Sequence, residues 1–289
     1  MYPRLSTFHL AALVSIFTLS TACGAGSRFA PHDADPLTVV PHESDPGKVE
    51  VIRNEGRVVH ILVALADNEN QGIVPVSASL GDGSNPDTNL YWGAAFGVRT
   101  YFGKSKSWDL VEKLPGHKPD ILERIVFRHH KKDVLIIADA YRGDKIRAAI
   151  VDTLASLSGR LRTNTVVEGK TMQIYGGADL VAFVGHNGLM DFDISDEFAA
   201  EDRKARDAII LACASRQYFK SKLLSSGANP LLWTTNLMAP EAYILHDAIE
   251  GWIADEDDAQ VRTRAAKAYS KYQRISVKSA EGLLVTGWE

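Results

Sequence analysis

The sequence predicts an α/β fold, a three-layer sandwich in which helices cover both faces of a central, mostly parallel sheet. Apolar runs of strand length, bounded by Gly and polar clusters, recur along the chain, which is typical of strands buried on both faces. Segments with apolar residues at helical spacing alternate with these runs. With 289 residues, 45% of them hydrophobic, the chain has enough apolar material for one such core.

The predicted elements follow in chain order. The strands are residues 58–66, 125–127, 134–138, 180–184, 208–212 and 231–233, with an edge strand at 283–285. Five helices are predicted. The first starts after Asp87 or Thr88, and the others span residues 145–157, 215–227, 240–252 and 257–272. Either Asp87 or Thr88 can cap the first helix, whose apolar positions continue to Tyr101. The alternation of strands and helices favours a largely parallel sheet.

The amino terminus is typical of an export signal. Arg4 supplies a positive charge, residues 10–19 are mostly apolar, and small residues lead up to Cys23. The apolar run is too short to span a bilayer as a helix. Residues 19–23 resemble the cleavage box of bacterial lipoproteins, in which the cysteine becomes the lipidated first residue. An ordinary secretory signal, cut nearby, is the alternative.

Three regions are therefore expected. Residues 1–22 are a signal peptide, and residues 23–56, rich in Gly, Pro, Asp and Ser with no apolar period, form a flexible tether. Residues 57–289 form the α/β domain. We expect an exported protein of the bacterial cell envelope, anchored to a membrane through lipid on Cys23, with the domain in the periplasm or outside the cell.

Charge and motifs exclude several partners. The formal net charge of −4 and the pI near 6.1 give no reason to expect nucleic acid as a partner. Neither a dinucleotide-binding fingerprint nor a phosphate-loop pattern is present. We therefore expect no cofactor and no metal.

Two predicted strands each end at a chemically useful residue. The run 180–184 leads to His186, and the run 208–212 leads directly to Cys213. In open α/β sheets the carboxyl ends of the strands face the ligand crevice. If the two strands are neighbours, His186 and Cys213 form a nucleophile with its base. Cys23 and Cys213 are the two cysteines of the chain, so lipidation of Cys23 leaves one thiol in an exported protein. An inert buried cysteine is the alternative.

Four features in order resemble the superfamily of cysteine peptidases that includes legumains, gingipains, clostripains and caspases. They are the first strand at 58–66, the sequence His186-Asn187-Gly188, the sequence Ala212-Cys213-Ala214-Ser215, and residues 232–236 followed by 240–243. The resemblance covers about residues 58–252 and is closest to legumain-like members. One position departs from the family, in which glycine follows the catalytic histidine directly, because Asn187 intervenes here.

The resemblance implies a caspase-like fold and roles for particular residues. His186 and Cys213 would be the catalytic dyad, and amides near Gly188 and at Cys213 would bind the oxyanion. Asn89 would orient the imidazole, or simply cap a helix. A carboxylate in the substrate pocket, Asp139 or Glu241, would favour Arg or Lys before the cleaved bond.

The expected function is a cysteine-type endopeptidase that cleaves peptide or protein substrates at the cell envelope. One alternative is a noncatalytic caspase-like lipoprotein that binds peptide or envelope ligands, which Asn187 favours. A second is a hydrolase that uses Asp191, Asp193 and His186 around a metal. Those aspartates, together with Asp196, are also consistent with a solvated edge strand in residues 190–197.

Overall fold

The computed structural model describes residues 53–288. Residues 1–52 and Glu289 lie outside the described residues, and with them lie the expected signal peptide, Cys23 and most of the expected tether. The chain divides into two units, Met1–Gly47 and Lys48–Glu289, and the described residues belong to the second. Within the described part, none of the helices combines the length and the apolar character needed to cross a bilayer.

A single large sheet forms the centre of the domain. In chain order the strands are β1 Arg57–Ala64, β2 Trp108–Pro115, β3 Ile121–His129, β4 Val134–Tyr141, β5 Arg162–Val167, β6 Lys170–Tyr175, β7 Leu180–Val184, β8 Asp207–Leu211, β9 Asn229–Thr234 and β10 Leu284–Val285. Of the described residues, eight strands form this sheet in the order β10-β9-β8-β7-β1-β4-β3-β2. The inner strands β4, β1, β7, β8 and β9 run parallel, whereas β2, β3 and β10 pair antiparallel. The strands β5 and β6 form a separate hairpin.

Helices cover both faces of the sheet. They are α1 Val98–Gly103, α2 Ile146–Leu157, α3 Ser215–Ser226, α4 Ala242–Ile253, α5 Asp258–Gln273 and α6 Val277–Leu283. Apolar side chains of α1, α4, α5 and α6 share one core with the first face of the sheet, and those of α2, α3 and the β5–β6 hairpin share a second core with the other face. The prediction of an α/β fold around a large, mostly parallel sheet is confirmed.

Several local predictions are wrong. The first helix starts at Val98 rather than after residue 88, because residues 87–97 form turns. At Gly93 a Cβ atom would lie 2.1 Å from the carbonyl oxygen of Asp87, so this turn is too tight for a side chain. Residues 190–197 contain no strand, only the end of a short 3-10 turn, Gly188–Met190. The strands β2, β5 and β6 were not predicted.

Residues 53–56, which precede β1, are part of the domain. Asn54, which the sequence assigned to the tether, donates a hydrogen bond from Nδ2 to the carbonyl oxygen of Gln173 at 2.9 Å and accepts one from the Gln173 amide at 2.8 Å. Residues 53–56 therefore run along β6, next to the amino ends of the parallel strands.

Candidate functional site

His186 and Cys213 lie at the same level at the carboxyl edge of the sheet. In the parallel pairing of β7 with β8, Val184 lies opposite Leu211. His186 and Cys213 each follow two residues later, on strands whose spacing is about 4.8 Å. Val184 and Leu211 both face the core beneath α4 and α5, and side chains alternate along a strand. His186 and Cys213 themselves lie just beyond the ends of these two strands.

Asn187 ties the two strand ends together. Its side-chain Nδ2 donates a hydrogen bond to the carbonyl oxygen of Cys213 at 2.6 Å, and its Oδ1 accepts one from the Leu189 amide at 3.1 Å. The Asn187 side chain is fully buried. Asn187, where the sequence differs from the peptidases that it resembles, thus connects the histidine segment to the cysteine segment.

A carboxylate holds the imidazole. Nε2 of His186 lies 2.6 Å from Oδ2 of Asp191, and the same carboxylate oxygen accepts the Gly72 amide at 3.4 Å. The His186 side chain is 8% exposed and that of Asp191 is 41% exposed. A carboxylate on Nε2 favours the proton on that nitrogen, so Nδ1 is left as the acceptor.

The thiol lies in a turn between β8 and α3. Sγ of Cys213 lies 3.4 Å from the amide nitrogen of Met238 and 3.5 Å from the carbonyl oxygen of the same residue. The amide contact suits a thiolate and the carbonyl contact suits a thiol, so both protonation states find a partner. Cys213 is partly exposed, and α3 begins two residues later at Ser215. The amino terminus of a helix stabilises nearby negative charge.

A buried pair of hydroxyls fixes this turn. Ser215 donates a hydrogen bond from Oγ to the carbonyl oxygen of Ile210 at 2.8 Å, and its amide donates to Oγ1 of Thr234 at 3.0 Å. The Thr234 amide donates to Oγ of Ser215 at 3.0 Å. Ala214, between Cys213 and Ser215, adopts a left-handed conformation with φ of 48°, and its amide donates a hydrogen bond to the carbonyl oxygen of Asn236. The sequence indicated no individual role for Thr234, although residues 232–236 are one of the four resembling features.

The two expected oxyanion donors differ. The Gly188 amide donates a hydrogen bond of 3.1 Å to the carbonyl oxygen of His186, so it is occupied in this conformation. Among residues 53–288, none accepts a hydrogen bond from the Cys213 amide. The amide of Cys213 is therefore the donor available to a ligand.

Asn89 forms hydrogen bonds with the loop that follows β1. It is fully buried; its Oδ1 accepts the Ala66 amide at 3.0 Å, and its Nδ2 donates to the carbonyl oxygens of Ala66 at 2.8 Å and of Asp82 at 3.0 Å. These bonds hold the loop after β1 in place. The expectation that Asn89 orients the imidazole is corrected, since Asp191 makes that contact.

Asp139 is not in a pocket. It lies inside β4, fully buried, where Arg124 donates hydrogen bonds of 2.6 Å from Nε and 2.7 Å from Nη2, and Nε2 of His60 lies 3.0 Å away. Burial alone would raise the pKa of Asp139, but the hydrogen bonds from Arg124 and His60 outweigh it and hold the pKa well below its usual range. A carboxylate that is enclosed and already paired is closed to substrate, which corrects the pocket expectation for this residue.

Glu241 lies on the cysteine side of the site. It directly precedes α4, and its Oε2 accepts hydrogen bonds from the Tyr243 hydroxyl at 2.7 Å and from Nε2 of Gln273 at 3.1 Å. Burial raises the pKa of Glu241 despite these bonds. Burial raises the pKa of Tyr91, and the charges of Cys213 and Glu241 raise it further.

The residues of the metal alternative do not converge. Asp191 pairs with His186, whereas Asp193 bonds through its side chain to the amide of Ile194 and through its carbonyl to Arg147. Within the described part of the chain, no group of three His, Cys, Asp or Glu side chains is arranged to hold a metal ion. The site is thus built around a thiol, an imidazole and one carboxylate.

No protein-family model, no curated protein and no solved structure matches this chain. A fold class alone does not determine a function, because unrelated activities share α/β folds. The function is therefore argued from the side chains at the carboxyl edge of the sheet.

Proposed function

We propose that this protein is a cysteine-type endopeptidase, a hydrolase that uses Cys213 as the nucleophile and His186 as the general base. The observation that carries the proposal is the common level of these residues on adjacent parallel strands, fastened by the bond from Asn187 to Cys213. Asp191 is the positioning residue for the imidazole. We further propose membership of the caspase, legumain and gingipain superfamily, as a divergent legumain-like member, because the four resembling features occur in the same order.

The chemistry follows from the contacts. Nδ1 of His186 takes the proton of the Cys213 thiol, and Sγ attacks the carbonyl carbon of the peptide. The Cys213 amide binds the oxyanion that forms, and His186 then donates its proton to the leaving amine. Water, deprotonated by His186, hydrolyses the thioester and restores the thiol. Asp191 stabilises the imidazolium that exists between these proton transfers.

The proposed preference is for Lys or Arg before the cleaved bond. Glu241 is a half-buried carboxylate on the cysteine side of the site, and its neighbours include the rings of Tyr91 and Tyr243. A carboxylate attracts ammonium and guanidinium groups more strongly where burial lowers the local dielectric constant. Aromatic walls add favourable contacts with the aliphatic part and the charge of such side chains.

The proposed setting is the bacterial cell envelope, with an N-terminal lipid anchor on Cys23 and peptide or protein substrates. This part rests on the sequence of residues 1–23, which lie outside the described residues. Metabolic labelling with palmitate in a bacterial host tests it: the native chain is expected to take up label, and Cys23→Ala is not. Equal labelling of both proteins would contradict lipidation at this residue.

Cleavage of a peptide panel tests the activity. The full chain and its Cys213→Ala variant are incubated with fluorogenic peptides that carry Lys, Arg, Asn or Ala before the reporter. We expect thiol-dependent cleavage after Lys and Arg that the variant lacks, with an unchanged circular dichroism spectrum. Equal activity of the two proteins would overturn the proposal.

A noncatalytic, peptide-binding lipoprotein is the second candidate function. The observation that favours it is the bond between the Gly188 amide and the His186 carbonyl, which leaves one oxyanion donor fewer than expected. Binding of basic peptides by the native chain without cleavage, together with a thiol that iodoacetamide labels no faster than free cysteine, would identify this alternative.

A further inference from the structure

A hydroxyl, an imidazole and a carboxylate are linked by hydrogen bonds on elements that the cysteine site does not use. Oγ of Ser105 lies 2.8 Å from Nε2 of His246, and Nδ1 of His246 lies 2.8 Å from Oδ1 of Asp247. Ser105 belongs to the turn between α1 and β2, and the other two residues belong to α4. This is the order of contacts that activates the serine of a Ser-His-Asp triad, which is recognised by geometry and not by sequence position.

The neighbouring contacts determine where the protons lie. A carboxylate on Nδ1 favours the proton on that nitrogen, so Nε2 of His246 is left as an acceptor. Oγ of Ser105 accepts the amide of Ser107 at 3.1 Å, and its own hydrogen is free to donate to Nε2. The hydroxyl is thus oriented to transfer its proton to the imidazole.

Packing and a second carboxylate hold the imidazole. The centre of the His246 ring lies 5.5 Å from that of Tyr101 and 5.3 Å from that of Phe102. Oε1 of Glu250, one turn further along α4, lies 3.8 Å from Nε2 of His246 and accepts a hydrogen bond from Nε1 of Trp108 at 2.9 Å. Both Asp247 and Glu250 therefore stabilise the positive charge that the imidazole carries after it takes a proton.

A cleft gives a ligand access to this hydroxyl. It encloses about 340 Å³, and Ser105 and His246 both line it. Phe96 and Tyr101 contribute aromatic rings to its walls, and Lys104 contributes an ammonium group. The Lys104 side chain is exposed and pairs with no carboxylate among residues 53–288. The cleft therefore offers apolar contacts to a small acyl group and an unpaired positive charge beside the serine.

We propose that this cleft hydrolyses small carboxylic esters with an apolar acyl chain. Ser105 is the nucleophile, His246 is the general base, and Asp247 is the positioning residue for the imidazole. An ester is the expected substrate because an alcohol leaves more readily than an amine, and one exposed ammonium group is the charge that the cleft offers to an oxyanion. The proposal does not rest on the peptidase function.

The reaction consists of an acylation and a hydrolysis. His246 takes the hydroxyl proton while Oγ of Ser105 forms a bond to the acyl carbon, and the ammonium group of Lys104 stabilises the oxyanion. The bond to the alcohol oxygen then breaks, and the imidazolium donates its proton to that oxygen. Water, deprotonated by His246, attacks the acyl-serine, the carboxylic acid leaves, and the proton returns to Oγ.

A fluorophosphonate probe tests the nucleophile, because it phosphonylates activated serine hydroxyls with loss of fluoride. The full chain is labelled and the modified residue is located by peptide mass spectrometry. We expect label on Ser105 and at least about tenfold less label in His246→Gln. Ser107→Ala, which keeps the amide that contacts Ser105, is the matched control and is expected to label normally. No label on Ser105, or equal labelling of the native chain and His246→Gln, would overturn the inference.

Ester hydrolysis tests the activity without the cysteine. The thiols of the full chain are first blocked with iodoacetamide, and hydrolysis of p-nitrophenyl butyrate is then measured. We expect kcat/KM to fall at least about 100-fold in Ser105→Ala, which loses one hydroxyl and is expected to keep its circular dichroism spectrum, and to stay unchanged in Ser107→Ala. Equal hydrolysis by the native chain and Ser105→Ala would contradict the proposal. Peptide cleavage is measured without the block, so either activity can fail alone.

Asp247→Asn tests the positioning residue. The amide keeps the size of the side chain but no longer favours the proton on Nδ1, so kcat for the ester is expected to fall at least about tenfold with KM unchanged. A purely structural role would not separate kcat from KM in this way. The control is Asp196→Asn, an exposed residue outside the cleft. An unchanged kcat in Asp247→Asn would contradict the assignment of this residue.

Discussion

The side chain of Asn187 donates a 2.6 Å hydrogen bond to the carbonyl oxygen of Cys213. This contact joins the residue after His186 to Cys213, in a buried setting where a hydrogen bond is strong and its loss is costly. The residue between His186 and Gly188 thus fastens this segment to the neighbouring strand.

Asn187→Asp tests this fastening. The new carboxylate keeps the shape of the side chain but offers an oxygen where the carbonyl of Cys213 needs a donor. We expect the free energy of unfolding to fall by about 1–3 kcal/mol, the usual cost of a broken buried hydrogen bond, and peptide cleavage to fall at least about tenfold. Urea denaturation and cleavage rates measure the two effects. Asn164→Asp, on the exposed side of β5, is the control, because the Oδ1 of Asn164 accepts a hydrogen bond from Gln173 that a carboxylate can also accept. Equal values for both variants would contradict the role of Asn187.

Asp191→Asn tests the positioning of the imidazole. The amide retains the size of the side chain but removes the charge that stabilises the imidazolium, so kcat is expected to fall about 100-fold with KM unchanged. Asp193→Asn is the matched control, because among the described residues the Asp193 side chain bonds only to the Ile194 amide. Normal kcat in Asp191→Asn would show that Asp191 has no catalytic role.

Glu241→Gln separates substrate choice from stability. Burial raises the pKa of Glu241, so the folded state disfavours its charged form, and stability linked to this group falls as the pH rises above the unfolded value of 4.5. Removing the charge is therefore expected to maintain or increase the free energy of unfolding at pH 7. Cleavage after Lys and Arg should fall at least about tenfold, with cleavage after neutral residues retained. A parallel loss for all substrates, or no loss in Glu241→Gln relative to Glu256→Gln, would contradict the pocket assignment.

The buried His60 predicts acid sensitivity. Burial lowers the pKa of His60 below 6.5, and burial lowers that of the partly exposed His117 to about 4. Below pH 6.5 the unfolded chain therefore binds protons that these imidazoles do not bind in the folded state. The free energy of unfolding is thus fully retained above this pH and falls below it. His60 contributes a slope of up to about 1.4 kcal/mol per pH unit. Urea denaturation between pH 8 and 5 measures it, with the exposed His130→Gln as control. A flat profile would contradict the account.

The central strands could be predicted because they are buried on both faces. The runs 180–184 and 208–212 are apolar at every position, and β7 and β8 occupy nearly the same residues. The edge strand β2 and the β5–β6 hairpin have a weaker sequence pattern, because apolar residues in them are exposed. Leu110 in β2 is 55% exposed and Val166 in β5 is 58% exposed. Half-exposed strands of mixed polarity have no pattern that separates them from loops.

The sequence could place His186 and Cys213 at the ends of strands, but it could not predict the residues that contact them. Strand ends identify His186 and Cys213, whereas the approach of Asp191 to the imidazole depends on one short turn, Gly188–Met190, that no periodicity marks. Asp139 was misassigned because a carboxylate in an apolar run can either end a strand or pair inside it. The antiparallel register of β3 and β4 sets Arg124 opposite Asp139, so the carboxylate pairs with the guanidinium inside the sheet. This register could not be read from the sequence.

The pairing of thiol and imidazole is tested most directly by the rate at which iodoacetamide alkylates Cys213, located by peptide mass spectrometry so that Cys23 does not contribute. The full chain is compared with His186→Ala and with free cysteine at pH 6.5. We expect Cys213 to react at least about tenfold faster than free cysteine, and His186→Ala to remove this advantage while the fold is kept. Equal rates with and without the imidazole would contradict the dyad and, with it, the proposed peptidase.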